Sequence, residues 1–376
     1  MSHYMNGLVV RAEGVPAEIV ELRLPEIGPG QVRVRIRAAG VCHSDLSMVN
    51  GTLRPPHPLI LGHEAAGEVL EIGDHGSAGP AAENRSNPDG RRAAVGDRVV
   101  LNWQPACRNC WFCEHGEPWL CSTSHGVAAL ENGITLDGAP VHVTLGVGAL
   151  AEQVVVPENA LIRVPSDLDF DSAALLGCAV LTGTGAVRNT ARVQPGESVV
   201  VIGLGGVGLS VVSAARAAGA AQVIAVDVSE AKKGLAEAAG ATDFVVSSEN
   251  LSKDIRSRTN RLGADHAIEC VGRASTIRAA WRATRTGGQV TVVGMGAADD
   301  MVQLSALEIF SSARILRASV YGQADTDLEV PSLARDVLDG KLSLDHLITD
   351  RIGLADVPAA FDRMARGEGA RSVVVL

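Results

Sequence analysis

Aromatic side chains make up only 3% of the 376 residues, and lysine supplies just four of the 33 basic residues (Lys232, Lys233, Lys253 and Lys341). Few rings are left to stack on bases, and a net charge of −10 opposes a phosphate backbone, so a nucleic-acid surface is excluded. No run of eighteen uncharged apolar residues occurs, which excludes a membrane-spanning helix. Met1 to Gly14 lacks a basic segment leading into a long apolar run, so no signal peptide is expected. The expected location is the cytoplasm, where thiols stay reduced. Cysteine is scarce as well: there are seven, an odd number that cannot pair off completely.

Four of those seven stand close together, at Cys107, Cys110, Cys113 and Cys121. Thiolates at this spacing in one loop can make the tetrahedral sulfur cage of a structural zinc site. The alternative, two disulfides, would require a secreted protein.

The chain is long enough for two domains. In its first third, Gln31 to Ala38 alternates strictly, with Val32, Val34 and Ile36 on one face and Arg33, Arg35 and Arg37 on the other. That period predicts a half-buried antiparallel strand. Further strands are expected at Gly67–Ile72, Arg98–Trp103, Gln153–Val156 and Leu161–Val164. Between Asp74 and Val95 the pattern gives way to Gly, Ala, Asn, Pro and Arg, as in a surface loop or disordered insertion. After about residue 180, strand and helix alternate from Ser198–Ile202 through Gln289–Val293, which predicts a parallel, doubly wound α/β sheet. A mixed section, Leu316 to Leu376, ends in the strand-like Ser372–Leu376.

Gly203-Leu204-Gly205-Gly206-Val207-Gly208 follows the apolar run Val199–Ile202 and opens a helix. In that setting Gly203 makes a tight turn, Gly205 admits a pyrophosphate and Gly208 allows close helix–strand packing. Asp227 ends the next strand, nineteen residues after Gly208. A carboxylate there accepts hydrogen bonds from ribose hydroxyls and repels a 2′-phosphate, which favours NAD over NADP. Lys232, one helical turn on, could reach the same ribose or lie solvated on the surface.

Three further potential ligands, Cys42, His63 and Cys178, are scattered along the chain, and spacing alone does not join them. The Cys42 segment, Gly62-His63-Glu64-Ala65-Ala66-Gly67, the four-cysteine loop, Cys178 and the Gly203 motif nevertheless occur in a telling order. The chain resembles, over nearly its whole length, the zinc-dependent medium-chain alcohol dehydrogenases. The resemblance implies a GroES-like, mostly-β catalytic domain at 1–180, with 319–376 returning to it, and a Rossmann domain at 181–318.

It also implies that Cys42, His63 and Cys178 hold a catalytic zinc with one position open, so that each subunit carries two zinc ions. Alcohol oxidation would then proceed through a zinc alkoxide and hydride transfer to NAD. By the same resemblance, Glu64 approaches this zinc from behind, and Asp45 orients His63 with Arg371 as its ionic partner. His43, Thr182, Arg371 and the Gly203–Gly208 turn, including Gly206 and Val207, would contact the cofactor. Ser44 fits the first hydroxyl of a proton relay. Many relatives carry a histidine as the outer relay base where this chain has Ser47, and serine does not titrate near neutrality. His43 or water would serve there instead. Cys270 reads as a buried small hydrophobe.

Leu53, Trp103, Thr144 and Met295 fall at substrate-pocket positions of the family and imply an apolar channel for a primary aliphatic or aromatic alcohol and its aldehyde. The long loop Cys121–Leu145 matches relatives that form dimers, so a homodimer through the Rossmann sheets is expected. The insertion Ser77–Ala94 is expected to be a surface loop without catalytic role. Leu101-Asn102-Trp103, Leu145–Ala149 and Arg371–Val374 also resemble mycothiol-dependent formaldehyde dehydrogenases, which act on a thiol–formaldehyde adduct. A non-enzymatic nucleotide-binding relative is a further alternative, weakened by the presence of Cys42, Ser44, His63 and Cys178.

Overall fold

The computed structural model describes residues 4–73, 93–123 and 130–376. Among them lie three sheets. Tyr4–Val10, Glu18–Arg23, Leu130–Leu136, Ala139–Val143 and the short Leu59–Ile60 close into a barrel. Beside it, Gln31–Gly40 is the central strand of a seven-stranded sheet. It pairs antiparallel with Glu64–Ile72, with Gln153–Pro157 and, across the whole sequence, with Arg371–Val375. The C-terminal strand therefore returns to the sheet built by the first third of the chain.

The alternation in Gln31–Gly40 sends Val32, Val34 and Ile36 into the core, as expected. Arg33 departs from the solvent face assigned to it, for only 3% of its surface is exposed. Neighbouring strands cover the site, and the two terminal nitrogens of the guanidinium meet the Pro25 carbonyl (2.9 Å) and the Glu71 carboxylate (3.1 Å), while Nε is buried without an acceptor.

The third sheet holds six parallel strands in the order Asp243–Val246, Gln222–Asp227, Ser198–Ile202, Ala264–Glu269, Thr284–Val292 and Ile315–Ala318. Counted along the chain this is the doubly wound order 3-2-1-4-5-6. Helices on both faces bury the central strands, which is why Val199–Ile202 reads as an unbroken apolar run. Strand order reverses beside Ser198–Ile202, so a crevice opens at the C-terminal ends of Ser198–Ile202 and Ala264–Glu269. Among the described residues no single helix is long and apolar enough to cross a membrane.

Candidate metal centre and nucleotide cradle

Cys42 follows the strand Gln31–Gly40 and stands at the N-terminus of the short helix His43–Val49. His63 immediately precedes the strand Glu64–Ile72, and Cys178 precedes the helix Ala179–Gly185. Folding brings these three distant residues together. Their ligating atoms all lie within 4.8 Å of one another, and all three side chains are buried.

Cys178 Sγ is 3.5 Å from His63 Nε2, while Nδ1 on the other side of the ring lies 3.3 Å from Asp45 Oδ1. The wholly buried Asp45 also accepts the Gly62 N–H (3.0 Å) and the Cys42 N–H (3.2 Å). One carboxylate thus orients the imidazole and ties two of the donor segments together, the usual outer support of a metal-binding histidine. A hydrogen bond from Cys178 holds the Cys42 thiol well below the ordinary range, and the same contact with burial lifts Cys178 well above it. Two sulfurs and a buttressed imidazole at this separation fit zinc, which favours deprotonated thiolates.

Glu64 is wholly buried, and neither carboxylate oxygen has a hydrogen-bond partner. Burial lifts its pKa to about 7 although Arg371 opposes the rise from 3.2 Å. The ionic partner of Arg371 is therefore Glu64 and not Asp45, whose two oxygens are already engaged by backbone N–H groups and His63.

Arg371 Nη1 donates to the Val41 carbonyl (3.0 Å), whereas Nε is buried without an acceptor and Nη2 faces Glu64 at 3.2 Å outside hydrogen-bond geometry. The same guanidinium lies over Gly206, where an added Cβ would come within 2.8 Å of Nε. Unsatisfied donors therefore stand at the N-terminus of the helix Gly206–Ala217, whose N-cap Gly205 makes no side-chain cap bond. An added Cβ at Gly205 would meet nothing within 4 Å, while one at Gly208 would fall 1.8 Å from the Gly203 carbonyl oxygen. The turn is open where a phosphate would approach and closed where helix meets strand, so the cradle fits a dinucleotide pyrophosphate.

Asp227 is half-buried at the end of its strand and accepts the N–H groups of Leu204 (2.8 Å) and Ser229 (3.0 Å). Lys232 is 5% exposed and donates to the Gly369 carbonyl, so it is not a solvated surface lysine. Thr182 is buried in the helix that Cys178 begins.

Cys107, Cys110, Cys113 and Cys121 form the second cluster, their sulfurs also within 4.8 Å of one another. The Cys110 and Cys113 sulfurs are 3.5 Å apart and all four residues are free thiols, so the disulfide alternative fails. Arg108, inside this loop, grips Asp325 and Asp327 at the start of the helix Thr326–Leu338.

The alcohol dehydrogenase GroES-like domain matches residues 28–166, and the zinc-binding dehydrogenase domain matches residues 206–335. S-(hydroxymethyl)glutathione dehydrogenase of Paracoccus denitrificans is 34% identical over 388 residues, covering 98% of this chain and 99% of the relative. That of Escherichia coli O157:H7 is 32% identical over 379 residues, with the same coverage. The chain belongs to the zinc-dependent medium-chain alcohol dehydrogenase family. The crystal structure of benzyl alcohol dehydrogenase from Acinetobacter calcoaceticus is also similar, with a TM-score of 0.88, 25% identity and 99% of each chain covered. The fold is that of the family, a GroES-like domain with a Rossmann-type nucleotide-binding domain, and members are oxidoreductases.

In this member of the family the remaining expected site residues divide. Ser44 Oγ lies 3.8 Å from Cys42 Sγ, and His43 beside it is exposed. Ser47 is buried. Trp103 is half-buried, its ring edge-on to His63 at 6.3 Å. Leu53 is half-buried against the core, and Met295 is exposed. Thr144 has no exposed surface, and its hydroxyl rests on the Met48 sulfur at 3.7 Å, so it belongs to the core and does not line an open channel. Cys270 is half-buried against the core and joins neither cluster. The insertion at 77–94 lies outside the described residues except for its last two. No motif marks Tyr321, which the fold sets against Trp103 at 4.1 Å between ring centres.

Proposed function

We propose that this chain is an NAD-linked alcohol dehydrogenase that oxidises primary alcohols, aliphatic or aromatic, to aldehydes, reversibly, with two zinc ions per subunit. The observation that carries this reading is the buried Cys42–His63–Cys178 donor set, which would hold a zinc through three protein ligands and so supply Lewis acidity toward a substrate oxygen. Residues 1–180 and 319–376 would form the catalytic unit and 181–318 the cofactor unit, with Cys107, Cys110, Cys113 and Cys121 around the structural zinc. The chemistry the bound groups supply is Lewis acidity toward the alcohol oxygen and a hydride acceptor.

The chain's own residues then have distinct tasks. Asp45 fixes the His63 ring through Nδ1. Ser44 Oγ accepts the alcohol proton, and since Ser47 is buried, the outward path runs by the exposed His43 or water. Gly205, the amides behind it and Arg371 take the pyrophosphate, while Asp227 faces the ribose. Trp103, beside His63, and Leu53 wall the alcohol on its apolar side.

A homodimer would form through the edge strand Ile315–Ala318, where Ile315 and Leu316 are exposed together with the nearby Leu307 and Phe310. We place the protein in the cytoplasm, where the six cysteines of these two clusters and Cys270 stay reduced.

The curated relatives named as S-(hydroxymethyl)glutathione dehydrogenases favour one second reading, oxidation of a thiol–formaldehyde adduct at the same centre, with mycothiol or glutathione as the thiol. NADH absorbance with primary alcohols, and with formaldehyde in the presence and absence of each thiol, separates the two. Turnover of free alcohols supports the first reading; turnover of formaldehyde only with a thiol replaces it with the second.

A further inference from the structure

Tyr321 is one of two tyrosines in the chain, and its backbone is in the left-handed region at φ 50 and ψ 34. A bulky residue does not adopt that conformation unless its surroundings hold it there, and such strain gathers at functional positions. Three contacts hold it. The phenol donates to the Gly177 carbonyl at 2.5 Å, one residue before Cys178. The ring lies against Trp103, tilted by 35° at 4.1 Å, and Trp103 in turn meets the His63 ring edge-on. The following Gly322 packs on the helix Ala179–Gly185 so closely that an added Cβ would come within 2.7 Å of the Leu181 carbonyl oxygen.

Tyr321 thus touches, directly or through one ring, the segments of two of the three donors. It belongs to the connection that leaves the last strand of the parallel sheet, Ile315–Ala318, and re-enters the helix Thr326–Leu338. The hydroxyl is spent on the backbone and the side chain is 3% exposed, so it is not placed to meet substrate. We propose that Tyr321 is a positioning residue for the Cys42–His63–Cys178 centre, fixing Cys178 through the Gly177 carbonyl and His63 through Trp103. The inference rests on the reading of that centre as a zinc site.

The test is zinc release to a chelator, followed in the parent protein and in Tyr321→Phe, with the four-cysteine site as internal reference. Removing one hydroxyl should speed loss of one zinc per subunit about three- to tenfold, while the second zinc leaves at the parent rate. Tyr321→Leu, which also removes the ring stacked on Trp103, should speed the same zinc further. Equal release of that zinc from parent and Tyr321→Phe overturns the inference. So does faster release of both zincs together with a lowered melting temperature, which marks a general structural role. A parent protein that holds only the four-cysteine zinc fails at the earlier step, the reading of the centre itself, and the inference falls with it.

Discussion

Asp227 carries two loads at once. Its two oxygens hold the Leu204 and Ser229 N–H groups, and so fix the turn that leads into Gly205. If it also binds the adenosine ribose, Asp227→Gly should weaken NAD binding roughly ten- to a hundredfold, the worth of hydrogen bonds to a charged group, and relax discrimination against NADP. Titrating NADH and NADPH by fluorescence quenching checks this, and an unchanged preference would remove Asp227 from the ribose contact. At this scale the four-cysteine loop was legible because its donors are adjacent in sequence. Cys42, His63 and Cys178 are separated by long stretches of chain, and only the order of motifs joined them. Burial was the least legible property. Nothing local marks Thr144 as fully enclosed or Lys232 as turned to the Gly369 carbonyl, because the covering groups come from distant segments. The partner of Arg371 was misread for the same reason: two buried carboxylates, Asp45 and Glu64, stand near the centre, and only the fold shows which one faces the guanidinium.

Elements of the parallel sheet were read closely, since apolar runs closed by glycine turns and followed by helical periodicity leave few alternatives. Ser198–Ile202 lies where the pattern put it. The barrel strands Tyr4–Val10 and Glu18–Arg23, and the pair Leu130–Leu136 and Ala139–Val143, were not read. Each pair is a local antiparallel hairpin, but the barrel that buries them closes only where Arg23 meets Thr135 and where Leu59–Ile60 pairs with both hairpins, between segments far apart in sequence. One strand junction yields a pH test. Asp265, in Ala264–Glu269, accepts the N–H and hydroxyl of Ser198 and pairs with Arg285 at 2.7 Å. Burial pulls its pKa upward, but these contacts prevail and hold it at about 2, below the ordinary 3.8. A depressed folded pKa contributes stability above pH 3.8 that is lost as pH falls through about 2. Asp265→Asn should therefore cost about 2 kcal/mol at neutral pH, and less as pH drops below about 3.8. Urea unfolding at several pH values measures this, and a gap that does not narrow in acid would count against the assignment.

At the scale of the whole molecule, the proposed homodimer would cover the edge of the parallel sheet formed by Ile315–Ala318. Phe310 is 84% exposed and Leu307 75%, beside an unpaired strand edge. A second copy would cover this surface, so Phe310→Asp should shift sedimentation from dimer to monomer at micromolar concentration; a monomeric parent protein would refute the interface. The centre itself is equally a property of the whole chain, assembled from the first third, the middle and the C-terminal strand that carries Arg371. Its central claim is tested most directly by metal analysis of the parent protein and of Cys42→Ala. Two zincs per subunit in the parent and one in a folded, inactive Cys42→Ala are expected. A single zinc in the parent, or two in the variant, would contradict the assignment of Cys42, His63 and Cys178 as its zinc ligands.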